Sequence, residues 1–234
     1  MAKILLIETS TAASCSVALA VDGNIACSVK SAEPRAQASL TAPFIKEVLD
    51  RSGIKVSGCD AVCVSSGPGS YTGLRVGVST AKGLCFSAGI PLLSVNTLDI
   101  LARQAVESNV NPDGCRYIVP MLDARRMEVY TAVYRLDSGK PVRVSDIEAR
   151  VIDGESFSRE LSEGPVVFIG DGSGKCGSVI SSANASFVQV CPDADSMLVP
   201  ATEAFEQKKF EDTAYFEPFY LKQFVATVSK KSLF

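Results

Sequence analysis

The residues that decide the fold are Ser65-Ser66-Gly67-Pro68-Gly69-Ser70-Tyr71-Thr72-Gly73-Leu74-Arg75-Val76-Gly77. An apolar run, residues 61–64, precedes them and a long segment of small residues follows, so the pattern predicts a strand, a glycine turn and a helix. The helix is predicted over residues 72–88, where each glycine costs about 1 kcal/mol relative to alanine. Close approach of another backbone would offset that cost. One face of this helix carries a stripe of small residues, namely Gly73, Gly77 and Ala81.

Two explanations of this stripe stay open from the pattern alone. Either the helix lies with that face against its own sheet, or the face is reserved for a partner. A second long helix is predicted over residues 35–52, where apolar residues recur at helical spacing and Gly53 follows as a stop. Its apolar stripe includes Leu40, Phe44 and Val48.

Composition restricts the class of protein. The chain has 234 residues, of which 47% are hydrophobic, so it can bury a full core in one or two domains, and we favour two small ones. Its net charge is −3 and its lysines and arginines are scattered, which argues against a nucleic-acid groove. The longest early apolar run, residues 4–7, is too short for a signal peptide or a membrane span. We therefore predict a cytoplasmic protein that does not bind membranes.

Two residue types limit the chemistry. Histidine is absent, which removes the commonest general base and the commonest catalytic metal ligand. The eight cysteines form no Cys-x-x-Cys pair, and several lie in apolar runs typical of strands. We expect reduced thiols in the core rather than zinc ligands or disulfides. The sequence therefore predicts neither a catalytic residue nor a metal site.

The strand plan of the first half recurs in the second. Predicted strands over residues 3–8 and 15–21 open the chain, and predicted strands over residues 117–122 and 128–136 repeat them. A segment with the composition of a linker, residues 109–114, separates the two copies. Two copies of one supersecondary plan are the simplest account.

This duplication predicts two subdomains. The N-terminal subdomain, residues 1–108, carries the two long helices. The C-terminal subdomain, residues 109–234, is smaller and ends in helices predicted over residues 201–209 and 211–220.

The duplicated plan resembles the actin-like, sugar-kinase-like (ASKHA) fold, an α/β fold of two mixed-sheet subdomains, with the second one reduced here. In that fold the loop after the first strand of each half grips nucleotide phosphates. The first loop here has hydroxyls but no glycine, whereas residues 170–174 are rich in glycine and make a better phosphate cradle. The candidate cleft residues are Glu8, Thr9, Ser10, Arg125, Gly170 and Gly172.

Four stretches carry a more specific resemblance. They are residues 66–77, quoted above, residues 4–10 (Ile-Leu-Leu-Ile-Glu-Thr-Ser), residues 121–130 (Met-Leu-Asp-Ala-Arg-Arg-Met-Glu-Val-Tyr) and residues 218–222 (Pro-Phe-Tyr-Leu-Lys). Together they closely resemble the TsaB family, the bacterial non-catalytic subunits for threonylcarbamoyladenosine synthesis on tRNA. The resemblance spans most of the chain and is weakest between about residues 143 and 195.

The resemblance implies a scaffold. It implies a heterodimer with TsaD, a homologous catalytic partner that transfers the threonylcarbamoyl group to the adenosine beside the anticodon of tRNA. It also implies that an ATPase, TsaE, works with this heterodimer. It implies no cofactor for this chain, with ATP or ADP bound only at the partner junction. Contact with tRNA is expected mainly through the complex, and the isolated chain is expected to form a homodimer.

The resemblance also assigns residues. In TsaD a His-x-x-x-His metal motif follows the strand after the glycine helix, and here Thr97 and Leu101 stand at those positions, where neither can hold a transition metal. Many TsaB relatives carry a histidine where this chain has Gln37. In the family the two long helices pack against the same helices of the partner. The implied partner-binding residues are Gln37, Leu40, Thr41, Phe44, Val48, Gly73, Leu74, Gly77 and Ala81.

A function of a different class stays open as the alternative: a stand-alone nucleotide-dependent enzyme or peptidase of the same fold. Whether the late lysines Lys222, Lys230 and Lys231 touch tRNA directly is also left open.

Overall fold

The first half of the chain forms a five-stranded sheet with its most apolar strands at the centre. The computed structural model describes residues 2–111 and 113–222. Across the sheet the strands follow in the order β3 (Asn24–Ser31), β2 (Cys15–Val21), β1 (Lys3–Glu8), β4 (Ala61–Gly67) and β5 (Leu92–Asn96). β1 pairs antiparallel with β2 and parallel with β4, which is the mixed arrangement predicted.

Two long helices cover one face of this sheet. α1 (Gln37–Ser52) ends at Gly53, whose φ of 64° explains the glycine, and α2 (Tyr71–Ala88) begins after Ser70. The Ser70 hydroxyl accepts a hydrogen bond from the Gly73 amide, which caps α2. The core on this face combines strand residues with inward residues of both helices, among them Ile45, Val48, Val78, Ala81 and Cys85.

The second half forms a seven-stranded sheet with much shorter helices. Its main order is β10 (Glu148–Val151), β7 (Glu128–Thr131), β6 (Tyr117–Asp123), β11 (Val166–Ile169) and β12 (Ala185–Val188), while β8 (Tyr134–Asp137) pairs with β6 and with β9 (Lys140–Arg143). The helices α4 (Ser158–Glu163) and α5 (Ser173–Cys176) are short, so this half is reduced in helices rather than in strands.

The single strand predicted over residues 128–136 is wrong. The segment divides into β7 and β8 because its two parts pair with different neighbours, β10 and β9. Between them the Val133 amide donates to the Ser145 hydroxyl instead of joining a ladder.

α3 (Thr97–Glu107) connects the two halves. On one side Ile100 packs with the first sheet, and on the other Leu98 and Leu101 share a core with Ile118 and Val167 of the second sheet. The Tyr134 hydroxyl donates to Asp99 at 2.5 Å, which adds a polar contact to this apolar junction.

The last described elements pack on the first half, although the sequence analysis assigns residues 109–234 to the second subdomain. α6 (Leu198–Glu206) places Ala201 in the core beneath the first sheet, together with Met197 and Ala194. The helix predicted over residues 211–220 is wrong, because this segment has a single turn at residues 213–215 and no helix. We call residues 211–222 the C-terminal strap.

Candidate functional site

A cavity of about 500 Å³ lies between the two halves. The first half contributes the loop after β1 and the start of α2, the second half contributes the loop after β6, and the C-terminal strap forms the remaining wall. Of the predicted cleft residues, Ser10 and Arg125 line the cavity. The lining that sequence reasoning missed includes Tyr71, Tyr130, Asp171 and Tyr220.

Glu8, another predicted cleft residue, does not line the cavity. It ends β1, is 1% exposed, and accepts a hydrogen bond from the Ser10 amide at 2.5 Å through Oε1, while Oε2 has no hydrogen-bond partner among the described residues. Burial raises the pKa of Glu8 to about 7, although hydrogen bonds from Ser10 favour the charged form, and the nearby charge of Asp193 raises it further. Glu8 is therefore a buried carboxyl that titrates near neutral pH.

The glycine turn and the start of α2 pack closely against the loop after β1. The Ser70 amide donates to the Ser10 carbonyl at 2.6 Å, and the Thr9 hydroxyl donates to the Gly73 carbonyl at 2.8 Å. A Cβ atom at Gly73 would lie 2.1 Å from the Thr9 carbonyl oxygen, and one at Gly77 would lie 2.3 Å from the Thr9 hydroxyl. The stripe of small residues therefore exists because the backbone of the chain's own first loop lies against it.

This packing corrects most of the predicted partner-binding set. The stripe and its neighbours face the interior of their own half, which leaves almost none of their surface open to a partner. The buried residues of that set are Gln37, Thr41, Val48, Gly73, Leu74, Gly77 and Ala81. Leu40 and Phe44 are only half-buried, and their role in docking stays a prediction.

Gln37 has a structural role that its position explains. Its side-chain amide donates to the Thr11 carbonyl at 2.6 Å and to the Ser14 carbonyl at 3.1 Å. The next helical turn repeats the pattern, because the Thr41 hydroxyl donates to the Gln37 carbonyl at 2.6 Å. Gln37 thus fastens α1 to the first loop, while the Thr41 hydroxyl bonds within α1.

In the second predicted phosphate loop, residues 170–174, two backbone amides are also occupied by hydrogen bonds within the chain. The amide of Gly170 donates to the Val188 carbonyl at 3.0 Å, and that of Gly172 donates to the Met121 carbonyl at 2.9 Å. A Cβ at Gly170 would lie 2.2 Å from the Met121 carbonyl oxygen, so β6 packs where a ligand would have to approach. These glycines serve close backbone packing, which argues against a phosphate cradle at this loop, and nucleotide binding in the cleft stays a prediction.

Arg125 lies on the second-half wall of the cavity. Arg125 and Arg126 are consecutive residues with positive φ, 72° and 50°, and the Arg125 amide donates to Asp123 at 3.1 Å. Lys175 forms an ion pair with Asp123 and donates to the Glu128 carbonyl at 2.7 Å. These two contacts hold the loop between β6 and β7 in place.

The outward face of α2 carries the most exposed of the large apolar side chains among the described residues. Phe86, near the end of α2, is 87% exposed. Along the same helix Thr72, Ser79 and Gly83 are exposed, and a Cβ atom at Gly83 would meet nothing within 4 Å. We call this surface, with Leu40 and Phe44 of α1 at its edge, the outer helix face.

Comparison with known proteins identifies the family. A family model described as "TsaD: tRNA N6-adenosine threonylcarbamoyltransferase" matches residues 32–229. The tRNA threonylcarbamoyladenosine biosynthesis protein TsaB of Escherichia coli (strain K12) is 31% identical over 96% of this chain and 96% of its own length. The chain belongs to the TsaB family. The TsaB protein of Haemophilus influenzae is 29% identical over 94% of this chain and 93% of its own.

Solved structures agree with the TsaB assignment. The structure described as "YeaZ from Pseudomonas aeruginosa" has a TM-score of 0.82 and 27% identity, and the match covers 94% of this chain and all of that one. A second structure from that organism, described as an uncharacterized protein with similarity to peptidase YEAZ, gives the same TM-score over 95% of this chain. The predicted duplicated actin-like α/β fold is confirmed.

The described residues of this TsaB family member contain no cluster of metal ligands. Thr97 and Leu101 are fully buried in α3, and residues 2–111 and 113–222 contain no group of three or more His, Cys, Asp or Glu that could hold a metal ion. Within the same residues, every helix is too short or too polar to cross a membrane. Lys230 and Lys231 lie outside the described residues.

Proposed function

We propose that this chain is an accessory subunit in tRNA threonylcarbamoyladenosine synthesis. The observation that carries the proposal is the similarity to E. coli TsaB, which extends over 96% of both chains. In this proposal the chain works in the cytoplasm, pairs with a TsaD-like catalytic homologue and acts together with a TsaE-like ATPase. It supplies a docking surface and no catalytic group, and it meets tRNA mainly through the complex.

The thiols of the chain support a role without catalysis. Burial raises the pKa of each thiol for which a shift is resolved, which keeps it protonated and unreactive at neutral pH. These thiols belong to Cys15, Cys59, Cys63, Cys85, Cys115, Cys176 and Cys191. With histidine absent from the whole chain, the usual pairings of a nucleophile with a histidine base are also missing.

The outer helix face is the surface we propose for docking. Two helices that lie side by side on a sheet can pack against two from a second molecule as a four-helix bundle. The small exposed residues of α2 would let a partner helix approach closely, and Phe86 offers an apolar anchor of the kind that dominates interface energy. In the absence of the catalytic homologue, we propose that the same face forms the homodimer.

Replacing Phe86 by aspartate should weaken the complex with the TsaD-like homologue by at least about 30-fold, because a buried aromatic anchor contributes about 2 kcal/mol or more. The fold of the single chain should persist, because the side chain is 87% exposed there. Titration calorimetry of the two purified proteins measures the affinity, and circular dichroism of the variant checks its fold.

Val151→Asp is the matched control, because Val151 is 67% exposed but lies on β10 of the second half. It should leave the affinity unchanged. Equal affinity of the Phe86→Asp variant and the wild type would disprove docking through the outer helix face. Failure of the wild-type chain to bind the homologue would disprove the accessory role itself.

The second candidate, a stand-alone nucleotide-dependent enzyme or peptidase, is raised by the neighbour described as similar to a peptidase. We expect titration of the isolated chain with ATP and magnesium to give no heat of binding, because the loop amides that would hold phosphates already donate to the chain's own carbonyl and carboxyl oxygens. Micromolar binding accompanied by turnover would favour the enzyme.

A further inference from the structure

We propose that the C-terminal strap is a latch that holds the two halves closed around the cleft. Cleft opening and closing would then be controlled by a segment that leaves α6, crosses the first half and ends against the second. This inference concerns the isolated chain and does not depend on the docking partner.

The strap is anchored to the edge of the first sheet and to α2. The Glu211 amide donates to the Leu92 carbonyl at 2.9 Å, and its carboxylate accepts from the Ser94 hydroxyl at 2.6 Å. Farther along, the Lys82 ammonium donates to the carbonyl oxygens of Ala214 at 3.0 Å and Phe216 at 2.9 Å. A single helix lysine thus holds two successive points of the strap.

The strap then passes over the start of α2 into the cleft wall. The Phe219 amide donates to the Ser66 carbonyl at 2.7 Å, and a Cβ atom at Gly67 would lie 2.6 Å from the Phe219 carbonyl oxygen. The Tyr220 ring packs on Tyr71 with 4.9 Å between the ring centroids. Gly67, with a φ of +113°, leaves the room that this approach needs.

The end of the strap reaches the second half. Lys222 forms an ion pair with Glu128 of β7. The backbone carbonyl of Glu128 accepts from Lys175, which also pairs with Asp123 in the loop that lines the cavity. The strap therefore connects the start of α2 with the opposite wall of the cleft.

Two of the connections between the halves differ in kind. Through α3 they share an apolar core that includes Leu98, Leu101 and Ile118, and this joint is buried. At the strap the link is an ion pair whose side chains are 44% and 20% exposed, which makes it the weaker of the two. We therefore place the hinge between the halves at α3 and the releasable contact of the latch at Lys222.

Hydrogen exchange of the full chain tests the latch. In Lys222→Met, exchange of the amides in residues 9–14 and 122–127, on opposite walls of the cleft, should become about threefold faster. Lys209→Met, at an exposed position after α6, is the matched control and should change neither wall. Unchanged exchange at both walls in Lys222→Met would overturn the proposal.

Lys82→Met provides a second, independent test, because it releases the strap at its other anchor. The latch predicts faster exchange in the strap and at both cleft walls, with no change in β1 and β4. Faster exchange in the strap alone would show that the strap only packs on α2 and does not hold the halves together, and this result would also overturn the proposal.

Discussion

Replacing Gly73 by alanine should lower the free energy of unfolding by about 3 kcal/mol or more, the upper range for overpacking a close contact. The added Cβ would lie 2.1 Å from the Thr9 carbonyl oxygen, a backbone atom that cannot rotate away as a side chain would. Relief requires α2 to move away from β1, which would break the hydrogen bond from the Thr9 hydroxyl to the Gly73 carbonyl.

Gly83→Ala is the matched control in the same helix. Nothing lies within 4 Å of a Cβ at Gly83, so alanine should stabilise the protein by up to about 1 kcal/mol through helix propensity. Urea unfolding of both variants, followed by circular dichroism, measures the two opposite changes. If Gly73→Ala were as stable as Gly83→Ala, the close packing of α2 on the first loop would be wrong.

Replacing Glu8 by glutamine should flatten the dependence of stability on pH. Because burial raises the pKa of Glu8 from 4.5 to about 7, the folded protein keeps a proton that the unfolded chain has lost between these two pH values. The wild-type free energy of unfolding should therefore fall as pH rises from 4.5 to 7, by about 3 kcal/mol in total from this group. Above pH 7 both states are ionised and the loss is complete.

Urea unfolding at a series of pH values from 5 to 8 measures this slope in both proteins. The difference between the two curves isolates Glu8, because the other carboxyls whose pKa is raised by partial burial, such as Asp171 and Asp195, are present in both. Glutamine can still accept the Ser10 amide, so the fold should persist. Parallel curves for the wild type and the variant would show that Glu8 is already ionised in the folded state at low pH.

Local patterns in the sequence were sufficient to predict most elements of the first half. The strand over residues 3–8 and the stop of α1 at Gly53 follow from apolar runs and turn residues, which act over a few neighbours. The TsaB resemblance followed from short motifs in the same way. The patterns failed at β7 and β8, where the pairing of each part with a different strand decided the break.

The site was harder to predict, because it depends on which way each helix face points. Sequence alone showed that α2 carries a stripe of small residues and that the chain lacks histidine. Only the tertiary structure decided that the stripe faces Thr9, leaving Phe86 on the outer helix face, and that residues 211–222 form a strap rather than a helix. The physical reason is that helical periodicity defines a face without defining its neighbour. The neighbour is chosen by contacts between segments far apart in the chain, such as Thr9 with Gly73 and Ser66 with Phe219.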